Sequence, residues 1–207
     1  MKLFYHPIFR WIGRKRGEVT VLIALVFLSI DLLWLKERPM DLFSFQPRFK
    51  FFLCWALLIA GVWLRIWAAG NLRKNEEITM TGIYAMMRHP LYVGTPLIYF
   101  SFLLAAGNPW VALAAFISMM LVVYYPRALH EEETLARSFP DKFAEYKKIP
   151  RFIPNLRQLP QALKSDRFFL KKSYENLGLR SLWALVIVPL LLKLIIYLQL
   201  KGFLPGR

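Results

Sequence analysis

The sequence predicts an all-α integral membrane protein of about five transmembrane helices, with a tight helical hairpin and a polar segment on its cytoplasmic side. Three observations carry this. Over 207 residues the chain is 57% apolar and 16% aromatic, above the roughly 45–50% apolar content of soluble domains. It contains five apolar runs of helical length. Two of those runs are separated only by Gly107-Asn108-Pro109, which is turn chemistry with almost no loop.

Residues 1–18 are basic, and the run 19–35 that follows is long enough to cross a thin hydrocarbon core at about 1.5 Å per residue. No small-residue cleavage site follows it; Lys36, Glu37 and Arg38 do. The run is therefore expected to be a retained helix rather than a signal peptide. Asp31 near its far end is expected at the headgroup interface. A polar connection over 36–50 leads to the second span, 51–69, with Arg65 placed to snorkel. The third span, 91–106, and the fourth, 110–125, form the hairpin, with Pro126 expected to end the fourth. A helix carrying Glu131, Glu132 and Glu133 should continue outward. An amphipathic piece over 161–176 should lie in the headgroup plane, and the run 182–200, kinked at Pro189, is the fifth span. The chain divides into residues 1–70 with two spans, a core over 71–160, and an interfacial helix plus last span over 161–207.

The formal charge of +15 does not indicate nucleic acid in so apolar a chain; it reads as affinity for anionic lipid and as a topology signal. Lys and Arg number 5, 3 and 12 in segments 1–18, 71–90 and 127–180, against 4, 0 and 2 in the alternate connections. The positive-inside rule then places the N-terminus and both polar stretches in the cytoplasm and the C-terminus opposite. A single cysteine, Cys54, excludes an intrachain disulfide and reads as a buried apolar residue.

The hairpin brings two polar stretches to one face. The first supplies Gly82, Tyr84, Arg88, His89 and Tyr92; the second supplies Arg127, His130, Glu131, Glu132, Tyr146 and Arg151. Opposed cations and carboxylates can grip a zwitterion, aromatic rings can face a flat base, and glycine permits close backbone approach. The set suits a ligand with a ring at one end and an amino acid at the other. Arg127 and Glu131, four apart, share a helix face. The three histidines, His6, His89 and His130, lack the ligand spacing of a metal site.

Thr81-Gly82-Ile83-Tyr84, Arg88-His89-Pro90-Leu91-Tyr92-Val93-Gly94, Glu131-Glu132 and Pro150-Arg151-Phe152-Ile153-Pro154 together resemble the isoprenylcysteine carboxyl methyltransferase and phospholipid methyltransferase superfamily. The resemblance covers about residues 75–154, including Arg127 four residues before Glu131. One departure is Phe139-Pro140-Asp141-Lys142-Phe143, where the family often has Phe-Gly-x-x-Tyr. The resemblance implies that the cytoplasmic segment is catalytic and uses S-adenosylmethionine. It makes Gly82, Tyr84, Arg88, His89, Tyr92, Glu131, Glu132 and Tyr146 the expected cofactor-binding set and Arg127 and Glu131 the expected catalytic pair. The acceptor is then a lipophilic molecule such as a prenylcysteine-like carboxylate or a lipid amine, with His130 or Glu131 as base where a proton must leave. A non-catalytic protein retaining the cofactor pocket and a sterol-reductase-like membrane reductase are the alternatives.

Overall fold

The computed structural model describes residues 7–73, 76–164, 168–176 and 178–206, with side chains from Trp11 onward. It contains only helices and their connections among the described residues. A short helix α1 (Pro7–Arg14) precedes α2 (Arg16–Trp34), α3 (Phe49–Asn71), α4 (Ile83–Met86) and α5 (Pro90–Ala106). After these come α6 (Pro109–Ser138), α7 (Pro140–Tyr146), α8 (Leu159–Leu163), α9 (Leu170–Glu175) and α10 (Leu179–Leu200). Helices α2, α3, α6 and α10 are long and apolar enough to cross a membrane, and α5 is a shorter apolar helix of 17 residues. The expected all-α membrane architecture is thus present.

The five helices alternate in direction. At one end the start of α2 meets the start of α5, where Arg16 reaches Tyr92. At the other end Lys50 Nζ donates to the Gly107 carbonyl at 2.6 Å, and Gln199 Nε2 donates to the Glu37 carbonyl at 2.9 Å. Helices α3 and α5 approach most closely through two glycines. A Cβ on Gly61 would lie 2.8 Å from the Gly94 carbonyl oxygen, and one on Gly94 would lie 2.9 Å from that of Gly61. Small residues are what allow such backbone proximity in lipid, where helix association depends on close packing. About two turns along the same pair of helices, Cys54 is fully buried, its carbonyl accepting from Ser101 Oγ at 2.7 Å.

The hairpin turn is built as the sequence implies. Pro109 opens α6, and the Asn108 side chain caps it by accepting from the Trp110 amide at 2.9 Å. Asp31 departs from expectation. It is fully buried instead of lying at the interface, and its Oδ1 accepts the Asn108 amide at 3.0 Å while its carboxylate occupies the space beside Gly107. A residue in the first span thus clamps the turn between the third and fourth.

Two further elements differ. Pro126 does not end the fourth span; α6 runs through it to Ser138, and a wide π turn over Met120–Tyr124 immediately precedes it. That turn relieves the clash a proline ring makes with the carbonyl four residues back. Residues 161–176 do not form one interfacial helix. Helices α8 and α9 are separate, and α9 is tied to the end of α3: the Phe169 amide donates to the Gly70 carbonyl at 3.2 Å, and Asn176 Nδ2 donates to the Ala69 carbonyl at 3.0 Å. Those carbonyls belong to the last turn of α3, which has no intrahelical donors left to offer them.

Candidate active site

The site begins with backbone. Gly82 has φ +59°, a conformation that favours glycine, and turns the chain into α4. Residues after α4 run extended, and this short segment is laced to the Pro150–Asn155 stretch. The Arg88 amide donates to the Pro150 carbonyl at 2.8 Å, the His89 amide to the Arg151 carbonyl at 3.1 Å, and the Asn155 amide to the Met86 carbonyl at 2.9 Å. Pro90 then occupies the first position of α5, where its missing N–H costs nothing. Arg88 and His89 are thereby held just outside the start of α5, facing α6.

Glu132 is the centre of the charge arrangement. It is 5% exposed, and three cationic or potentially cationic side chains converge on it. Arg151 donates through Nε and Nη2, each at 3.0 Å; His89 Nε2 lies 3.0 Å from Oε1; Arg88 Nη1 is 3.1 Å from Oε2. An ionised carboxylate removed from water requires this degree of compensation. The hydrogen bonds to Glu132 raise the Arg151 guanidinium above its ordinary range despite partial burial, so the pair stays charged.

Glu131, the next residue, is placed differently. Its side chain is 39% exposed. Oε2 accepts from the Tyr92 hydroxyl at 2.6 Å and lies 4.0 Å from His89 Nδ1. Tyr92 stacks flat on the His89 ring, with centroids 5.4 Å apart and planes 7° apart. Arg16 stands over the other ring contact of this tyrosine, 5.7 Å from the Tyr92 centroid. Below it, Tyr124 packs 5.7 Å from Tyr92 and shares a hydrogen bond with Thr20 at 3.2 Å.

Several buried polar atoms around this cluster have no hydrogen-bond partner: Arg88 Nε and Nη1, Arg127 Nε and Asn71 Oδ1. Arg88 Nη1 therefore sits at ion-pair distance from Glu132 without hydrogen-bond geometry. The Arg88 guanidinium lies 5.6 Å from the Tyr146 ring. Tyr84 and Tyr146 are both buried; burial first, and then the nearby glutamates, push their hydroxyls above the usual phenol range. Both remain neutral donors. Asn71 Oδ1 lies 2.3 Å from where a Cβ on Gly82 would stand, so only glycine leaves that carbonyl group in place.

The structure thus brings Arg88, His89, Tyr92, Glu131, Glu132 and Tyr146 into one cluster, with Gly82 and Tyr84 beside it. Arg127 is packed beneath α1, its Cδ 3.3 Å from where a Cβ on Gly13 would be. It forms no ion pair with Glu131 among the described residues. His130 is exposed. Sequence reasoning missed Arg16 and Asn71. The 3.6-residue period could have offered Asn71 as the last residue of α3, but nothing local marks Arg16, which belongs to the site only because α2 packs against α5. No group of three or more His, Cys, Asp or Glu suited to a metal ion occurs among the described residues.

Residues 49–142 match the family model described as phospholipid methyltransferase. That stretch, 94 of the 207 residues, is similar to phospholipid methyltransferases. The matched stretch includes Asn71, Gly82, Arg88, His89, Tyr92, Arg127, Glu131 and Glu132, whereas Tyr146 and Arg151 lie past its end. Two curated proteins are similar to the chain. The nickel-cobalt-cadmium resistance protein NccN of Alcaligenes xylosoxydans xylosoxydans is 33% identical over 100 residues, covering 47% of this chain and 45% of that protein. The cobalt-zinc-cadmium resistance protein CzcN of Cupriavidus metallidurans is 33% identical over 100 residues, covering 47% and 44%. The match spans less than half the length of either relative. No solved structure matches the chain.

Proposed function

We propose that the protein transfers a methyl group from S-adenosylmethionine to a lipophilic acceptor at the membrane–cytoplasm interface. The observation that carries this reading is the pair of unpartnered buried atoms Arg88 Nε and Asn71 Oδ1 in the same matched stretch as a half-exposed Glu131. An open donor on Arg88 and acceptors on Asn71 and Glu131 fit a zwitterionic amino-acid moiety. The cofactor supplies an activated methyl on a sulfonium, so the protein's task is alignment and exclusion of water. Alignment is worth up to about 7–11 kcal/mol in well-oriented systems.

In this reading Arg88 receives the cofactor's carboxylate through its open Nε. Glu131 and Asn71 Oδ1 receive its ammonium. Glu132, whose oxygens are engaged by Arg151, His89 and Arg88, orients those side chains in preference to touching the ligand. Tyr84 and Tyr146 line the region of the ring system, and the Gly82 turn admits the ligand close to backbone. Arg127 orients the acceptor. An amine or thiol acceptor must lose a proton on methylation, and Glu131 takes it, since exposed His130 points to solvent; a carboxylate acceptor loses none. The basic segments at this end support a cytoplasmic orientation.

The test is isothermal titration of purified protein with S-adenosylmethionine, beside transfer of radiolabelled methyl into lipid extract. Wild type should bind and label a lipophilic product, while Glu131→Gln should lose binding. Undiminished binding by that variant overturns the assignment, and binding without any labelled product favours a non-catalytic protein.

A further inference from the structure

Glu131 is held by little for a residue that is to meet the cofactor's ammonium. Among the described residues the Tyr92 hydroxyl is its single hydrogen-bond donor, at 2.6 Å. His89 Nδ1 stands 4.0 Å away, beyond hydrogen-bond reach. Whatever fixes the Tyr92 hydroxyl therefore fixes Glu131.

A tyrosine hydroxyl carries one rotatable proton, and its oxygen can also accept. Arg16, at the start of α2, approaches that oxygen with Nη1 at 3.5 Å, and its guanidinium carbon lies 5.7 Å from the centroid of the Tyr92 ring. Arginine has donors only. The Tyr92 oxygen must then accept from Arg16, which turns its own proton toward Glu131, and a hydroxyl that accepts from a cation becomes the stronger donor for it. Arg16 is free for this task. Glu18, the acid nearest to it in sequence, is engaged by Lys15 at 2.9 Å, and Arg16 forms no ion pair among the described residues.

The start of α2 is built to deliver this side chain. Helical hydrogen bonds carry α1 into α2 across Lys15, whose amide donates to the Trp11 carbonyl and whose carbonyl accepts the Val19 amide, both at 3.0 Å. Gly13, Arg16 and Thr20, spaced by three and four residues, consequently share one face. Gly13 leaves room for the Arg127 stem. Thr20 Oγ1 donates to the Arg16 carbonyl at 2.7 Å and pairs with the Tyr124 hydroxyl, whose ring packs on Tyr92. All three residues precede residue 49, where the similarity to phospholipid methyltransferases begins.

We propose that Arg16 is a positioning residue for methyl transfer: through the Tyr92 hydroxyl it holds Glu131 where the ammonium of S-adenosylmethionine binds. This rests on the methyl-transfer reading and extends the site to the face of α1 and α2, outside the matched stretch.

The experiment titrates full-length protein in dodecyl maltoside with S-adenosylmethionine and with 5′-methylthioadenosine, which keeps the ring system and the sulfur but lacks the amino-acid end. Thermal melts run beside it. Arg16→Met keeps the stem and removes the charge and the donors. It should weaken S-adenosylmethionine by about fivefold, as for loss of one ordinary hydrogen bond, and leave 5′-methylthioadenosine unchanged, with Arg16→Lys recovering part of the loss. In the Tyr92→Phe background Arg16→Met should add nothing, because the hydroxyl through which Arg16 acts is gone. Undiminished S-adenosylmethionine binding by Arg16→Met, an equal loss for both ligands, or a full further loss in the Tyr92→Phe background overturns the proposal and leaves the methyl-transfer reading standing. Wild type that binds no S-adenosylmethionine overturns that reading, and the role of Arg16 falls with it.

Discussion

Arg151 grips Glu132 as a fork, with Nε and Nη2 each 3.0 Å from a carboxylate oxygen across 19 residues of chain. The pair joins the outward end of α6 to the strap that follows α7, and it sets where Arg88 and His89 find their counter-charge. Glu132→Gln keeps the volume but leaves two guanidinium groups and an imidazole around a neutral amide. Removing one partner of a buried pair costs about 3–5 kcal/mol, and the lower end is expected because Arg151 is a third exposed. Denaturant unfolding in detergent measures it. Adding Arg151→Met should recover part of the loss, and a fully additive double mutant would contradict the coupling.

Tyr92→Phe separates two roles of one side chain. The ring stack on His89 survives, while the 2.6 Å bond to Glu131 is lost. A single hydrogen bond to a charged group is worth about 1.5–3 kcal/mol. Methyl transfer should fall by roughly tenfold with little change in folding, read by labelled product formation beside a thermal melt.

Gly82→Ala places a Cβ 2.3 Å from Asn71 Oδ1 at φ +59°. Alanine at positive φ is destabilising by more than about 1 kcal/mol, and here the displaced group is a proposed ligand contact. Both stability and S-adenosylmethionine affinity should drop. Asn71→Ser in the same chain should restore part of the stability, the positive-φ cost remaining, without restoring affinity.

Arg127→Ala should reduce turnover more than cofactor affinity, because Arg127 is assigned to the acceptor. A larger loss of S-adenosylmethionine binding than of kcat would move it into the cofactor site.

Asp31→Ala tests the opposite end of the bundle. It leaves the Asn108 amide of the hairpin turn without its acceptor, a cost of about 1–3 kcal/mol for a buried donor. Unfolding should become easier, while the affinity for S-adenosylmethionine, at the far end, should not change.

The five traverses and the hairpin were legible because hydropathy and a proline-bearing turn act locally. The convergence of Arg88-His89 with Glu131-Glu132 followed from that topology, since a three-residue turn sets the third and fourth spans side by side. What was not legible depended on contacts between distant segments. Asp31 looks interfacial in its own run and becomes a clamp only through Asn108. Pro126 reads as a stop until the π turn over Met120–Tyr124 is seen to absorb it. Residues 161–176 have the composition of a surface helix, yet the open carbonyls at the end of α3 claim Phe169 and Asn176 instead. Arg16 carries no local signal at all, and Glu132, alike in sequence to Glu131, is distinguished only by the cations that surround it.

The contact of Gly61 with Gly94 has a bearing on traffic. With backbone against backbone, no acyl chain can slip between the second and third spans. Of the four long spans, the first and last are the least enclosed by protein. For an acceptor that travels in the bilayer, two glycines therefore close one doorway and leave entry to the flanks, where Arg16 on one side and Ser181 on the other stand at the threshold.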